Sequence, residues 1–164
     1  ALSLNQVNIF DGFESVAPLV NNNNLNIQLT TLNVVDNIGA KIGFLAWEGD
    51  AQIANNETLR INGVPISNAQ NPLDNAFNGS NSYTGSNDLF NMDLDVYDLE
   101  GIVQPDDTEV QINLTSDQDL IIINNLIIRL FVFLRLSGNV FKSFLNQQQI
   151  FFPLLMALAL LPNY

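Results

Sequence analysis

The residues best suited to chemistry in this chain are carboxylates set in pairs. The stretch Gly43-Phe-Leu-Ala-Trp-Glu-Gly-Asp50 carries an apolar run into an aromatic residue and then delivers Glu48 and Asp50 on either side of a glycine. Asp93 and Asp95 lie two apart, which in an extended strand puts both on one face. Asp117 and Asp119 repeat that spacing. Carboxylates pointing the same way repel unless a cation stands between them. Ca2+ takes roughly six to eight oxygens from carboxylates, amide carbonyls and backbone, and the many Asn residues can complete such a shell. The expected metal site is therefore Glu48, Asp50, Asp93 and Asp95, with Ca2+ as the ion. The spacing is not that of an EF-hand loop, and the competing reading is that these residues are ordinary solvated strand faces, turns and caps.

Other chemistries are narrowed by what the chain lacks. With no His and no Cys, Ser-His-Asp and Cys-His catalysis, zinc sites of imidazole or thiolate, and disulfides are excluded. A glycosidase needs only two carboxyl groups about 5–9 Å apart, and Glu48 with Asp93 or Asp95 would be the pair. Such pairs are easily found in so acidic a chain, so no catalytic residue is assigned and the chain is read as non-enzymatic. Trp47, Tyr83 and Tyr97 are the residues that can stack on sugars. Trp47, at the end of an apolar strand, is expected in the core instead.

All 17 carboxylates lie at or before Asp119, and the net charge is −12. That balance argues against nucleic acid, which needs clustered Lys and Arg. From Arg129 onward the chain is apolar and carries only Arg129, Arg135 and Lys142 as charged side chains. The first residue is Ala rather than Met, from which a removed export signal and a secreted or cell-surface location are expected.

Period-two alternation supplies the elements that must position the carboxylates. Residues 2–10 form a first strand broken by Asp11-Gly12, and residues 25–35 a second. Ile38-Gly39 interrupts before a strand over 40–47. Residues 58–61 and 64–66 flank an Asn62-Gly63 hairpin turn. A long ordered loop, or two loops around a short strand, covers 68–87, and strands follow at 89–96, at 110–114 and, as one long strand or two consecutive ones, at 120–136. Many short strands separated by Gly, Asn, Asp and Pro predict an all-β chain, an antiparallel β-sandwich of jelly-roll type over residues 1–137. Residues 138–164 form an apolar, cationic C-terminal extension in which Val140, Phe141, Phe144 and Leu145 have helical spacing. No transmembrane span is expected: residues 150–161 reach about half of the roughly 20 residues required, and 120–136 is interrupted by Asn124, Asn125, Arg129 and Arg135.

The words Phe44-Leu-Ala-Trp-Glu-Gly-Asp50, Leu59-Arg-Ile-Asn-Gly63, Asn71-Pro-Leu-Asp-Asn-Ala-Phe-Asn78 and Asp93-Leu-Asp95, in this order over residues 10–130, resemble a β-rich domain of large secreted surface proteins of Bacteroidetes-like bacteria. Those proteins are often adhesin-like and exported by the type IX route. The resemblance implies an extracellular structural or adhesive module and supplies no catalytic residues. The tail beyond about residue 130 has no counterpart in it. The expected function is a surface subunit that packs with copies of itself, in filaments joined through terminal segments. The alternative is a monomeric, Ca2+-dependent module binding surface glycans.

Overall fold

Two four-stranded antiparallel sheets face one another in the computed structural model, which describes residues 4–52 and 57–132. The strands are β1 (Leu4–Val16), β2 (Asn24–Leu29), β3 (Asp36–Trp47), β4 (Thr58–Ile61), β5 (Val64–Pro65), β6 (Met92–Asp98), β7 (Val110–Thr115) and β8 (Ile121–Val132). One sheet runs β1-β8-β3-β6 and the other β2-β7-β4-β5. That order is the eight-stranded jelly roll, two interleaved Greek keys.

Alternation builds the core between the sheets. Ile42, Phe44 and Ala46 of β3, Leu59 and Ile61 of β4, Ile112 and Leu114 of β7, and Leu126, Ile128 and Leu130 of β8 are buried. Phe44 meets Phe77 and Tyr97 edge-on, with ring centroids 5.6 and 5.9 Å away. Each such contact adds about 0.5–1.5 kcal/mol beyond the area it buries. The β4–β5 turn places Asn62 at φ 49° and Gly63 at φ 80°, the two left-handed residues of a type I′ hairpin.

Four strands depart from their expected limits; of these, β6 starts at Met92 and runs on to Asp98 rather than spanning 89–96. Asp11-Gly12 does not end β1; the register shifts between Asp11 and Glu14 and the strand continues to Val16 as a bulge. The alternating run from Leu25 leaves the sheet at Leu29, although Leu32 and Val34 stay buried and donate their N–H groups to Thr108 O and Asp107 O. Gly39, at φ 66°, is a kink inside β3 rather than a break before it. The expected limit at residue 137 and the extension 138–164 lie outside the described residues. Among the described residues no helix is long and apolar enough to cross a membrane.

Candidate functional site

Strand β6 keeps its alternation but reverses its sense. Leu94 is exposed and Met92 and Val96 are half-buried on the outer face, while Asp93, Asp95 and Tyr97 point between the sheets and are buried. The loop between β5 and β6 makes this arrangement tolerable by turning backbone donors inward. Asp93 Oδ1 accepts the N–H groups of Asn78, Gly79 and Ser80 at 2.8, 2.9 and 3.0 Å. Gly79 has φ +75°, and a Cβ there would lie 2.8 Å from Leu89 O, so the turn that aims these donors requires glycine. Asp95 Oδ1 accepts the N–H of Ser82 at 3.1 Å. The Ser80 hydroxyl lies within bonding distance of both Asn71 Oδ1 (2.8 Å) and Asp95 Oδ1 (3.2 Å) and donates to one at a time.

Two further carboxylates join from other segments. Glu57, just before β4, is buried. It donates its N–H to Asp74 O at 3.2 Å and accepts the Phe77 N–H on Oε1 at 2.5 Å. Asp119, just before β8, is buried and accepts the Asp50 N–H on Oδ2 at 3.2 Å. Asn75 donates from Nδ2 to Asp50 O at 3.3 Å. Gly49 presses on the cluster from the end of β3. A Cβ at that position would collide with Asp93 Oδ2 and lie 2.8 and 2.9 Å from the Phe77 carbonyl carbon and oxygen.

Burial sets the electrostatics. It pushes Glu57 up to about 8; the Phe77 N–H opposes this and the Asp119 and Asp93 charges add to it. Burial likewise lifts Asp93 to about 7, against the N–H groups of Ser80 and Asn78 and with the help of Asp95. Asp95 is raised by burial, and burial brings Asp119 to about 6. The Tyr97 hydroxyl, which donates to Ala76 O at 2.7 Å, is raised well above its ordinary value by burial and then by Asp95, Asp93 and Glu57. Five buried side-chain atoms here have no hydrogen-bond partner: Glu57 Oε2, Asn75 Oδ1, Asp93 Oδ2, Asp95 Oδ2 and Asn71 Nδ2.

Of the four expected metal residues, Asp93 and Asp95 lie inside this cluster and Glu48 and Asp50 at its mouth. Glu48 is half-buried at φ 70°, and Asp50 is exposed, meeting the cluster through its backbone. Among the described residues no three acidic side chains gather into one ligand set. Asp119 is buried while its neighbour by spacing, Asp117, is exposed. Glu57, a single carboxylate in no pair, carries no sequence signal. Asn71, Asn75 and Asn78 do, because the distinctive words at 47–50, 71–78 and 93–95 all meet here. The aromatic expectations divide: Tyr97 is buried, Tyr83 is 84% exposed, and Trp47 is 39% exposed on the outer face, with only a 3.5 Å bond to Asn124 Oδ1. The inward turns of β3 belong to Phe44 and Ala46, so Trp47, one residue on, points out.

The outer face of the β1-β8-β3-β6 sheet is a second feature. The first part of strand β1 is also reversed: Gln6 and Asn8 are half-buried and Val7 and Ile9 are 55% and 68% exposed, before Phe10 and Val16 return apolar side chains to the core. Register aligns Ile9, Ile127, Gly43 and Val96 across four strands, with Leu45 beside Leu94 in the next row. Gly43 leaves a trough there of about 600 Å3, walled by Tyr83 and Gln70 and ending at Lys41, Asp98 and Arg129. No protein family matches the sequence, and a search of the curated proteins finds no match.

Proposed function

We propose that the chain is an extracellular structural or adhesive subunit that self-associates through the outer face of the β1-β8-β3-β6 sheet and through its terminal segments. The observation that carries this reading is the contrast between the two outer faces. The β2-β7-β4-β5 sheet turns Asn24, Asn26, Gln111 and Asn113 to solvent, linked in part by side-chain bonds. The other sheet turns Val7, Ile9, Ile127, Leu45 and Leu94 outward instead. Its edge is β1, whose 13 residues pair with no further strand on their outer side among the described residues. A long apolar edge is a template for another chain.

The occupant we assign is a second copy. Residues 129–164 carry three cations and no carboxylate, while the residues before them hold every carboxylate in the chain, so the tail of one copy and the body of the next are complementary in charge. Such a head-to-tail contact makes filaments unless its rotation closes a ring. Light scattering with size exclusion and negative-stain imaging test the reading. The full chain should form large assemblies. Val7→Thr with Ile9→Lys, or removal of residues 138–164, should return a folded monomer. Assemblies that survive both changes would refute it.

The trough favours a second reading, a glycan-binding module. An exposed Tyr83 beside the charged ends at Lys41, Asp98 and Arg129 is the pairing of stacking surface and hydrogen-bonding groups that sugars need. A monomer that binds a glycan array, and loses binding in Tyr83→Ala, would select this reading over self-association.

A further inference from the structure

We propose that Glu57, Asp93 and Asn75 hold a calcium ion beneath the Gly49 turn. The argument starts from a mismatch in hydrogen bonding. Glu57 and Asp93 each satisfy one carboxyl oxygen with backbone N–H groups and leave the other, Oε2 and Oδ2, fully buried with no partner. Asn75 uses its Nδ2 on Asp50 O and leaves Oδ1 bare. Asp95 Oδ2 and Asn71 Nδ2 are bare as well, and because the Asn71 side chain interacts with Asp95, the three oxygens of Glu57, Asp93 and Asn75 are the ones left without a donor. Buried polar groups are rarely left so, and each one calls for an occupant.

The residues that bear these oxygens are neighbours in the fold. Glu57 is bonded to Asp74 and Phe77, Asp93 to Asn78, and Asn75 stands between them on the same short stretch of loop. Gly49 closes the site from above, where a side chain would strike Asp93 Oδ2. The three N–H groups on Asp93 Oδ1 stabilise its ionised form, burial opposes it, and a carboxylate ionised at this depth needs a counter-charge. Among the described residues the only ion pair is Lys41 with Asp98, on the outer face. A bound cation supplies what the side chains do not.

The donor set selects the ion. It holds only hard oxygens, two carboxylates and an amide, and water must complete the shell because no three carboxylates gather. Irregular, mixed shells suit Ca2+, whereas Mg2+ demands near-ideal octahedral geometry and gives up water reluctantly. The ion sits deeper than the sequence suggested: Asp93 is shared with the expected set, and Glu57 and Asn75 replace Glu48 and Asp50.

The test uses the full chain in thermal melts with EGTA, Ca2+ or Mg2+, and Tb3+ luminescence excited through the aromatic residues. Ca2+ should raise Tm in a saturable way, with Mg2+ giving a smaller rise. Tb3+ should bind with sensitised emission that Ca2+ displaces. Glu57→Gln and Asn75→Ala should each weaken Ca2+ at least 10-fold. Should either variant fail to fold, one displaceable Tb3+ per chain that persists in Glu48→Gln and in Asp50→Asn still supports the site. Superimposed melts without Tb3+ emission would overturn the proposal, as would a Ca2+ response kept in Glu57→Gln and lost in Glu48→Gln or Asp50→Asn, which places the ion on the exposed turn.

Discussion

Gly49→Ala should be among the most damaging small substitutions in the chain, and Gly43→Ala among the mildest, although the two positions are only six apart. At position 49 the new methyl would overlap Asp93 Oδ2 and stand 2.8 and 2.9 Å from backbone atoms of Phe77. A flexible side chain could move aside; the Phe77 backbone cannot, because its N–H is bonded to the buried Glu57. Overpacking of this kind costs about 1–3 kcal/mol. Displacing residues 77–80 also disturbs the bonds to Glu57 and Asp93, at about 1 kcal/mol for each one weakened. A loss of about 2–4 kcal/mol is expected from the two effects together, a large fraction of the roughly 5–15 kcal/mol that holds a domain folded. At position 43 the nearest atoms lie 3.6–3.9 Å from the added Cβ, ordinary contact distance. There Ala should be neutral or stabilising by about 0.4–1 kcal/mol through the unfolded state. Urea unfolding followed by far-UV circular dichroism reads both, as a change in midpoint at constant m. A Gly49→Ala protein within about 0.5 kcal/mol of wild type, the range of an ordinary surface change, would refute the close packing of Gly49 on Asp93 and Phe77.

Stability in chelator should fall as pH rises. Folded Glu57, Asp93 and Asp119 hold protons up to about pH 8, 7 and 6, whereas the unfolded chain releases them near pH 4. Between those limits the folded state binds more protons, so the unfolding free energy declines with pH and levels off above about pH 8; Tm measured from pH 5 to pH 8.5 checks this, and a flat Tm over that range would show the cluster already ionised in the fold. Trp47→Ala should cost little, below about 1.5 kcal/mol, because the ring is partly exposed and held by one long bond. Phe44→Ala, which removes a ring packed on Phe77 and Tyr97, should cost about 3–5 kcal/mol; equal losses in the two variants would contradict the outward placement of Trp47.

The jelly roll was legible because its strands alternate and its turns are marked. Asn62-Gly63 could be placed as a hairpin from two residues, since few other pairs accept positive φ twice. The site was only half legible. Spacing put Asp93 and Asp95 on one face, but period two says which residues share a face and not which face is inside. The deciding groups are backbone N–H donors at residues 78–82, and a backbone donor leaves no mark in sequence. Glu57 was invisible for the same reason: it is one carboxylate without a partner in sequence, and Phe77 gives it meaning only in the fold. Trp47 misled because an aromatic at the end of an apolar strand suggests core, whereas parity with Phe44 and Ala46 puts it outside.

The two reversed segments, β6 and the first part of β1, lie on the two edges of the same sheet, and the reversal of β6 has one consequence. A slip of one residue in β6 would carry Met92, Leu94 and Val96 into the core and Asp93 and Asp95 into water. Hydrophobicity alone favours that register. The observed one is held by Tyr97, whose ring packs on Phe44 and whose hydroxyl bonds Ala76 O, and by the three N–H groups on Asp93. The chain thus maintains a buried acidic cluster on the inside of the sheet and an apolar row on its outside, both against the simplest partition between core and water. Each half of that arrangement would be stabilised by the binding proposed for it: a cation within would relieve the carboxylates, and a neighbouring copy without would cover Val7, Ile9 and Leu94. The two can be separated, because an ion acts on the Tm of a dilute monomer, whereas a partner acts only as concentration rises.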